Sequence, residues 1–233
     1  MKTEIIFAEI SSVSDFRIND LLELVSSERR ERIRKLRSDI DRKLSLYTEL
    51  MVRYFAIKKL NISNKDIIFK KNRYGKPYLR NFPKFHFNLS HTRNAIAVAF
   101  SDKEIGIDIE RIKFADFRIA DRFFTIQERE YMNKSADKDY AFYKIWTRKE
   151  AYVKWKGIGF AMPPNSFDVI SDDGITSIIN TTKIDKYLIS ICGESLIVKE
   201  PSMTVFTEYE MRARFTPVDR SKYRPISNYF KAD

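Results

Sequence analysis

The chain has 233 residues, of which 43% are hydrophobic and 32% are charged, a composition ordinary for a folded domain. Its 18 Phe and 12 Tyr exclude an extended disordered chain, because such chains are poor in aromatic side chains. Lys and Arg number 43 against 32 Asp and Glu, and the resulting net charge of +11 indicates an anionic partner: nucleic acid, an anionic membrane, a phosphorylated ligand or an acidic protein.

The sequence contains no segment suited to a membrane. No apolar run approaches the ~20 residues that a transmembrane helix requires, and the N-terminus lacks the apolar core and cleavage site of a signal peptide. Cys192 is the single cysteine, so an internal disulfide is excluded. These features predict a cytoplasmic protein without a membrane partner.

The first half of the chain predicts a strand, two helices and then short strands. Residues 3–10 predict a strand, 28–35 a short basic helix and 39–60 a long helix that ends at Asn61. Apolar side chains recur at helical spacing in the long helix and predict one buried stripe of Ile40, Leu44, Tyr47, Met51 and Phe55. The predicted strands that follow, around a turn at 72–77, are 67–69, 85–89, 95–100 and 105–110.

The second half predicts helices and then strands. Thr125 and Glu128 form a capping-box pattern, and residues 139–156 have the strongest helical pattern of the chain, ended by Gly157. Strands are predicted at 167–170, 175–179, 187–192 and 204–208, with a turn at 172–174 and an irregular tail after Arg212. The order of elements predicts the α+β class.

Two carboxylates lie two residues apart on the strand predicted at 105–110. Because side chains alternate between the faces of a strand, Asp108 and Glu110 share one face, with Cα atoms about 6.6 Å apart, while Ile107 and Ile109 point into the core. Two such carboxylates can bind one hard cation, and Mg²⁺ suits them because it completes its octahedron with water and substrate phosphates. The alternative is an edge strand with a solvated acidic face.

The helix predicted at 139–156 carries a charged pair, Glu150 and Lys154, four residues apart on one face. The pair predicts either an ordinary ion pair, worth about 0.2–0.5 kcal/mol, or a third metal-binding carboxylate beside a lysine that handles protons. Two further polar motifs precede it, at residues 75–77 and 87–91. The first is an ordinary turn if taken alone; the second has a histidine that is structural or binds phosphate together with its neighbouring serine.

The four motifs, in this order along one chain, resemble those of the 4′-phosphopantetheinyl transferases. They are Gly-Lys-Pro at 75–77, Phe-Asn-Leu-Ser-His at 87–91, Gly-Ile-Asp-Ile-Glu at 106–110 and Trp-Thr-Arg-Lys-Glu-Ala-Tyr-Val-Lys at 146–154. The resemblance is to the larger single-chain class, the surfactin-synthetase-activating type, which modifies peptide and polyketide synthases. It covers residues 29–192 and includes Phe123 and Phe124 with Glu128.

The resemblance implies how coenzyme A and its metal are bound. Asp108, Glu110 and Glu150 would hold Mg²⁺ on the pyrophosphate of coenzyme A, and Mn²⁺ could replace it because both ions favour oxygen ligands. The nucleotide end, with its 3′-phosphate, would be bound by Gly75, Lys76, Pro77, Ser90 and His91, with Arg29, Arg32 and Ser45 nearby and Lys154 at the phosphates.

The implied reaction transfers the phosphopantetheine arm of coenzyme A to a serine of an apo carrier protein and releases adenosine 3′,5′-bisphosphate. Glu150, or a metal-bound water beside it, would take the serine proton, since a hydroxyl is a poor nucleophile near neutral pH. The serine oxygen would attack the β-phosphorus, and Lys154 would protonate the leaving group. An acidic carrier protein of fatty acid, polyketide or peptide synthesis would account for the basic net charge.

The resemblance also implies two similar α/β subdomains in a pseudo-twofold arrangement, with the active site in the cleft between them. The predicted subdomains are residues 1–103 and 104–233, and the predicted state is a monomer. No internal sequence similarity is visible between the two halves.

Two other functions share part of this pattern. A Mg²⁺-dependent nuclease also uses acids, a lysine and a basic surface, but its Glu and Lys usually stand two apart on one strand. A basic nucleic-acid-binding module without catalysis explains the net charge and leaves four ordered motifs to coincidence. The transferase is therefore the favoured prediction, with no nucleic-acid partner.

Overall fold

The computed structural model describes residues 2–12, 18–197 and 200–215. The strands are β1 Glu4–Glu9, β2 Phe69–Lys71, β3 Pro77–Leu79, β4 His86–Thr92, β5 Ala95–Ser101, β6 Gly106–Arg111, β7 Ile179–Ile184, β8 Tyr187–Cys192 and β9 Ser202–Thr207. The helices are α1 Ile18–Leu21, α2 Ser27–Lys35, α3 Asp39–Leu60, α4 Arg118–Phe123, α5 Ile126–Lys134, α6 Lys138–Lys156, α7 Asp173–Thr176 and α8 Glu208–Ala213.

The first sheet has the strand order β4-β5-β1-β9 and is covered on one face by α3. β1 pairs antiparallel with β5 and parallel with β9, and β4 pairs antiparallel with β5. Because strand side chains alternate, Ile6 and Val98 pack toward α3, whereas Ile5 and Phe7 pack toward the second sheet. This alternation explains why β1 and β5 are apolar on both faces.

The second sheet has the order β6-β8-β7 and is covered by α6. Its inner face, with Ile107, Ile109 and Ile189, packs against the first sheet, and its outer face, with Leu188, packs under α6. The layers are therefore helix, sheet, sheet and helix, and each half places one long helix on one largely antiparallel sheet. The α+β prediction is confirmed.

The long helices begin and end where their caps predict. α3 ends at Asn61, whose φ of 53° is in the left-handed region, and α6 ends at Gly157, whose φ is 66°. Asp137 caps the start of α6 by accepting a hydrogen bond from the Tyr140 amide. The capping box of Thr125 and Glu128 also forms at the start of α5.

Three short strands were predicted in the wrong place. The strand predicted at 67–69 starts only at Phe69, because Ile67 follows a single 3₁₀ turn at Asn64–Asp66. Residues 167–170 form no strand, because the Asp168 carboxylate accepts the amides of Ile170 and Ser171. These local bonds replace those that a neighbouring strand would provide.

The predicted strand at 175–179 is also wrong. Asp172 accepts the Ile175 amide and starts the short helix α7, so the predicted turn at 172–174 becomes a helix start. The strand begins at Ile179, and the hairpin turns at Asp185, with a φ of 50°. The turn predicted at 72–77 includes the first residue of β3.

The chain returns to the first sheet near its C-terminus. β9 lies beside β1, close to the strand predicted at 204–208, and α8 follows it. The division of the chain between residues 103 and 104 remains a prediction, and most of the predicted irregular tail, from residue 216 on, lies outside the described residues. In the described ranges, no helix has the length and apolar character needed to span a membrane.

Candidate functional site

A close contact between α6 and β6 places the acids of the two motifs together. At Gly106, a Cβ atom would lie 2.1 Å from the Ala151 carbonyl oxygen and 2.3 Å from the Trp155 amide nitrogen. Only glycine permits this approach of helix and strand backbones. The contact places the turn of α6 that carries Glu150 and Lys154 against the strand that carries Asp108.

Asp108 joins three elements. Its Oδ1 accepts hydrogen bonds from Lys154 Nζ at 2.6 Å and from Ser90 Oγ at 2.8 Å, and Lys154 Nζ also lies 3.0 Å from Ser90 Oγ. Asp108 is 4% exposed, and its Oδ2 is buried without a hydrogen-bond partner among the described residues. A buried carboxylate oxygen in this state is costly unless a ligand or cation supplies the missing partner.

Alternate side chains of β4 hold β6 in place. Asn88 Oδ1 accepts the Ile107 amide at 2.9 Å, Ser90 bonds to Asp108, and Thr92 Oγ1 donates to Glu110 Oε2 at 3.0 Å. These three β4 residues are two apart and share one face of the strand. The motif at 87–91 therefore orients Asp108, and Thr92, the residue after the motif, orients Glu110.

The charge of Asp108 acts on both of the other predicted metal-binding acids. Burial and the Asp108 charge raise the pKa of Glu110 to about 7. Burial and the same charge raise the pKa of Glu150, against the effect of Lys154. Crowded carboxylates of this kind favour a bound cation. Over the described part of the chain, however, no three His, Cys, Asp or Glu side chains are arranged to hold a metal ion.

The Glu150–Lys154 pair lies on α6, so the helical placement predicted for it is confirmed. Lys154 extends from α6 to Asp108 on β6 and to Ser90 on β4 of the first sheet, and it affects Glu150 through a longer-range charge interaction. Glu150 and Lys154 therefore differ from the Glu and Lys of the nuclease alternative, which lie on one strand.

A cavity of about 260 Å³ borders these groups. Its lining comes from the turn before β3, from β4 and from α6, and includes Gly75, Lys76, Pro77, Asn88, Glu150, Val153 and Lys154. Gly75 has a φ of 90°, which explains the glycine in this turn. The cavity brings together three of the four motifs.

The turn at 72–77 is fixed to the end of α6. Asn72 Oδ1 accepts the amides of Tyr74 and Lys76 at 2.9 and 3.0 Å, and its Nδ2 donates to the Gly157 carbonyl at 2.8 Å. Lys76 Nζ contacts Glu104 Oε2 at 2.6 Å and donates to the Trp155 carbonyl at 3.2 Å, as a cation at a helix C-terminus does. The docking role of Asn72 was missed, although its Asn-x-x-Gly spacing is a turn signal.

A second, basic cavity of about 200 Å³ adjoins the first, since Pro77 lines both. Arg29 and Arg32 line it together with Lys70 and Lys71. Arg29 Nη1 donates to Ser45 Oγ at 3.2 Å, and its Nε bonds to the buried Glu49 at 3.0 Å.

His91 is the remaining predicted residue. Its side chain is exposed at the end of β4, where local desolvation and then the charges of Lys154 and Arg32 lower its pKa. His91 lines neither cavity, but its pKa responds to Lys154 of the first cavity and to Arg32 of the second. The predicted coenzyme-binding residues thus lie in or near two cavities that share Pro77.

Lys149, the neighbour of Glu150, has a structural role that sequence analysis missed. It is 1% exposed, and its Nζ lies 2.8 Å from Glu128 Oε2 and donates to the carbonyls of Pro164 and Phe167 at 2.6 and 2.7 Å. The pair ties α5, α6 and the segment after α6 together. Nothing in the local pattern separates this buried lysine from the exposed ones.

Known proteins are similar in sequence to both halves of the chain. Residues 104–205 match the 4′-phosphopantetheinyl transferase superfamily, and residues 12–103 match the N-terminal family of 4′-phosphopantetheinyl transferases. The chain is 36% identical to the 4′-phosphopantetheinyl transferase gsp of Aneurinibacillus migulanus, over 77% of this chain and 76% of the relative.

It is 33% identical to the 4′-phosphopantetheinyl transferase Sfp of Bacillus subtilis strain 168, over 74% of this chain and 83% of the relative. It is 32% identical to the L-aminoadipate-semialdehyde dehydrogenase-phosphopantetheinyl transferase of Mus musculus, over 62% of this chain and 53% of that protein. Similarity over most of both chains, together with the motifs, places this chain in the 4′-phosphopantetheinyl transferase family, among its Sfp-like members.

Proposed function

We propose that the chain transfers the 4′-phosphopantetheine arm of coenzyme A to a serine of an apo carrier protein. The products are holo-carrier protein and adenosine 3′,5′-bisphosphate. The observation that carries the proposal is the contact of Ser90, Asp108 and Lys154, because it joins three family motifs at one point beside a cavity.

Asp108, Glu110 and Glu150 would hold Mg²⁺. The buried, unpartnered Oδ2 of Asp108 and the raised pKa values of Glu110 and Glu150 support this assignment, since each favours a nearby cation. All three donors are carboxylate oxygens, which suit Mg²⁺ and also Mn²⁺. When bound, the metal would offset negative charge that develops on the pyrophosphate of coenzyme A.

The nucleotide of coenzyme A would occupy the two adjoining cavities. The set proposed to bind it is Arg29, Arg32, Ser45, Gly75, Lys76, Pro77, Ser90, His91 and Lys154. Arg29, Arg32, Gly75, Lys76, Pro77 and Lys154 line the two cavities, which share Pro77. Ser45 bonds to Arg29 and Ser90 to Lys154, and these contacts support the proposal. The arginines would bind phosphate, for which the planar guanidinium is well shaped.

Glu150 would act as the general base and Lys154 as the general acid. Glu150 takes the proton of the carrier serine, and the serine oxygen forms a bond to the β-phosphorus. The bond between that phosphorus and the oxygen of adenosine 3′,5′-bisphosphate breaks, and Lys154 protonates the leaving oxygen. Both residues line the cavity of about 260 Å³, as these roles require.

The carrier protein would dock beside Glu110. The loop after β6 is fixed by hydrogen bonds from the Ile112 amide to the Lys186 carbonyl and from the Ala115 amide to Asp139, yet Phe114 is 96% exposed on it. Lys113 in this loop follows Glu110 by three residues, and its charge acts to lower the pKa of Glu110. An exposed aromatic ring beside basic residues suits a partner that is apolar at its centre and acidic around it.

We also propose that the protein acts as a cytoplasmic monomer without nucleic-acid or membrane partners. The site is assembled from residues of one chain, so it does not need a second subunit. The proposed acceptor is a serine hydroxyl on an acidic carrier protein, and carriers of fatty acid, polyketide and peptide synthesis are all proposed as partners.

Intact mass spectrometry tests the proposal. The protein is incubated with coenzyme A, Mg²⁺ and an apo carrier protein, and we expect the carrier to gain ~340 Da, the mass of a transferred arm. An apo carrier whose serine is replaced by alanine is the matched control and should gain nothing. An unmodified wild-type carrier, tested with carriers of all three pathways, would contradict the proposal. Cleavage of a nucleic-acid substrate in a parallel incubation would favour the nuclease instead.

A further inference from the structure

We infer that a buried chain of hydroxyl groups beneath α6, formed by Thr147, Ser190 and Thr181, positions Glu150 against Asp108. The inference deepens the proposed function and rests on it. These hydroxyls do not face the cavity, so they are positioning residues and not catalytic ones.

The hydroxyl chain starts at Arg148 on α6, crosses β7 and β8, and returns to α6 at Thr147. Arg148 Nε donates to Thr181 Oγ1 at 2.9 Å, Thr181 Oγ1 lies 3.0 Å from Ser190 Oγ, and Ser190 Oγ lies 2.7 Å from Thr147 Oγ1. Thr147 Oγ1 donates to the Tyr143 carbonyl at 2.9 Å. Thr147 and Ser190 are both fully buried.

The direction of every proton in this chain is fixed by its ends. The guanidinium of Arg148 can only donate and the Tyr143 carbonyl can only accept. Thr181 must therefore donate to Ser190, and Ser190 must donate to Thr147. Each hydroxyl gives one hydrogen bond and receives one, so loss of any member leaves a neighbour unsatisfied in the interior.

The strand register connects this chain to the acids. Ser190 pairs directly with Asp108 across β6 and β8, and Thr181 pairs with Ser190 across β7 and β8. Directly opposite residues point to the same face of a sheet. Asp108, Ser190 and Thr181 therefore form one row across the sheet face that α6 covers.

Thr147, at one end of the hydroxyl chain, lies one turn before Glu150. Thr147 and Glu150 are three residues apart and so lie on the same side of α6. The Thr147–Ser190 bond thus ties the turn that carries Glu150 to the strand position beside Asp108. The like charges of Asp108 and Glu150 repel, which favours separation of these two carboxylates until a cation binds, while the Lys154–Asp108 ion pair holds α6 to β6. The hydroxyl chain opposes that separation and preforms the acidic site.

Thr147→Val and Thr147→Ser test the inference. Valine keeps the shape of threonine without its hydroxyl, whereas serine keeps the hydroxyl. We expect Thr147→Val to weaken Mn²⁺ binding, measured by electron paramagnetic resonance titration, by about tenfold, the loss typical when a group that orients a metal ligand is removed. The kcat for transfer should fall while KM for coenzyme A changes little, and Thr147→Ser should restore both values.

Thr182→Val is the matched control. Thr182 neighbours Thr181 on β7 but bonds to Asn180 and faces away from Ser190, so wild-type Mn²⁺ binding is expected. If Thr147→Val does not fold, Thr181→Val breaks the same hydroxyl chain at its other end, where Thr181 accepts from Arg148 of α6, and should show the same defect.

The outcomes separate the inference from the proposed function. Unchanged Mn²⁺ affinity in a folded Thr147→Val or Thr181→Val variant, or no Mn²⁺ binding by the wild-type protein, would overturn the inference. A wild-type protein that binds Mn²⁺ but modifies no carrier would overturn the proposed function and leave the Mn²⁺ comparison valid.

Discussion

Asp108 is the residue on which the contacts of the site converge. One of its oxygens accepts from Ser90 and Lys154, and the other is buried and unpartnered among the described residues. Its charge contributes to the raised pKa of both Glu110 and Glu150. One oxygen thus fixes the carboxylate by protein contacts while the other remains available to a cation.

Glu150→Gln should abolish most transfer without loss of folding. The amide keeps the shape of the side chain but cannot accept the serine proton, so kcat should fall by at least about a hundredfold. The rate of holo-carrier formation by mass spectrometry measures the loss, and circular dichroism checks the fold. Glu130→Gln, an exposed acid on α5, is the control and should keep the wild-type rate. Full activity of Glu150→Gln would remove its role as base.

At the scale of elements, the decisive feature is the contact of α6 with β6 at Gly106. The glycine of the Gly-x-Asp-x-Glu motif faces the helix backbone, where a side chain has no room. Gly106 thus keeps the backbones of α6 and β6 close together. Binding of a metal by Asp108 and Glu110 would be a separate role of the same short motif. The same helix is tied down at its far end by Asn72 and Lys76.

Gly106→Ala should destabilise the protein and impair transfer. The added methyl group would lie 2.1 Å from the Ala151 carbonyl oxygen, so α6 must move away from β6. We expect the free energy of unfolding, measured by urea titration, to fall by about 1–3 kcal/mol. Gly174→Ala is the control, because the nearest atom there is a side-chain oxygen at 3.3 Å. Equal stability of the two variants would contradict the packing role.

The sequence predicts best those elements whose apolar periodicity and caps extend over many consecutive residues. The helices at 39–60 and 139–156 were predicted to within one residue at each end, since their apolar periodicity and caps are written in consecutive residues. β7 was missed because its Asn180, Thr181 and Thr182 lack apolar alternation, and it is a strand through pairing with β8. Tertiary pairing of this kind leaves little trace in the local pattern.

The candidate site likewise contains residues that the sequence predicts and contacts that only the fold shows. Asp108, Glu110, Glu150 and Lys154 were found because motif order is visible in the sequence. The bond of Lys154 to Asp108 and the hydroxyl row under α6 join residues 46 and 43 positions apart, so only the fold reveals them. The buried pair of Lys149 and Glu128 was hidden for the same reason.

At the scale of the whole molecule, the two sheets pack face to face and each contributes to the site. Ser90 comes from the first sheet and Asp108 from the second, so the relative position of the halves sets the geometry of the acids. The net charge of +11 belongs to this scale as well, since it acts on a partner before contact.

Transfer to an acidic carrier should slow as salt increases. Above roughly 0.1 M salt the screening length shortens to ~10 Å, so the basic surface attracts the carrier less. We expect kcat/KM for the carrier to fall with NaCl concentration while the KM for coenzyme A changes less. A flat salt profile would exclude electrostatic attraction as the use of the net charge.

Phe114→Ala should weaken carrier binding alone. Its ring is 96% exposed and contributes little to the core, so stability should be unchanged, whereas KM for the carrier should rise by about tenfold, as for an aromatic anchor of an interface. Val205→Ala, an exposed apolar residue on β9, is the control. If the KM values for both variants equal that of the wild type, the carrier docks elsewhere.

The most direct measurement is a crystal structure with coenzyme A and Mn²⁺, using anomalous scattering to locate the ion. The account predicts one anomalous peak at the pyrophosphate, with carboxylate oxygens of Asp108, Glu110 and Glu150 at about 2.0–2.3 Å. A peak bound by other residues, or a coenzyme A pyrophosphate distant from these three acids, would contradict it.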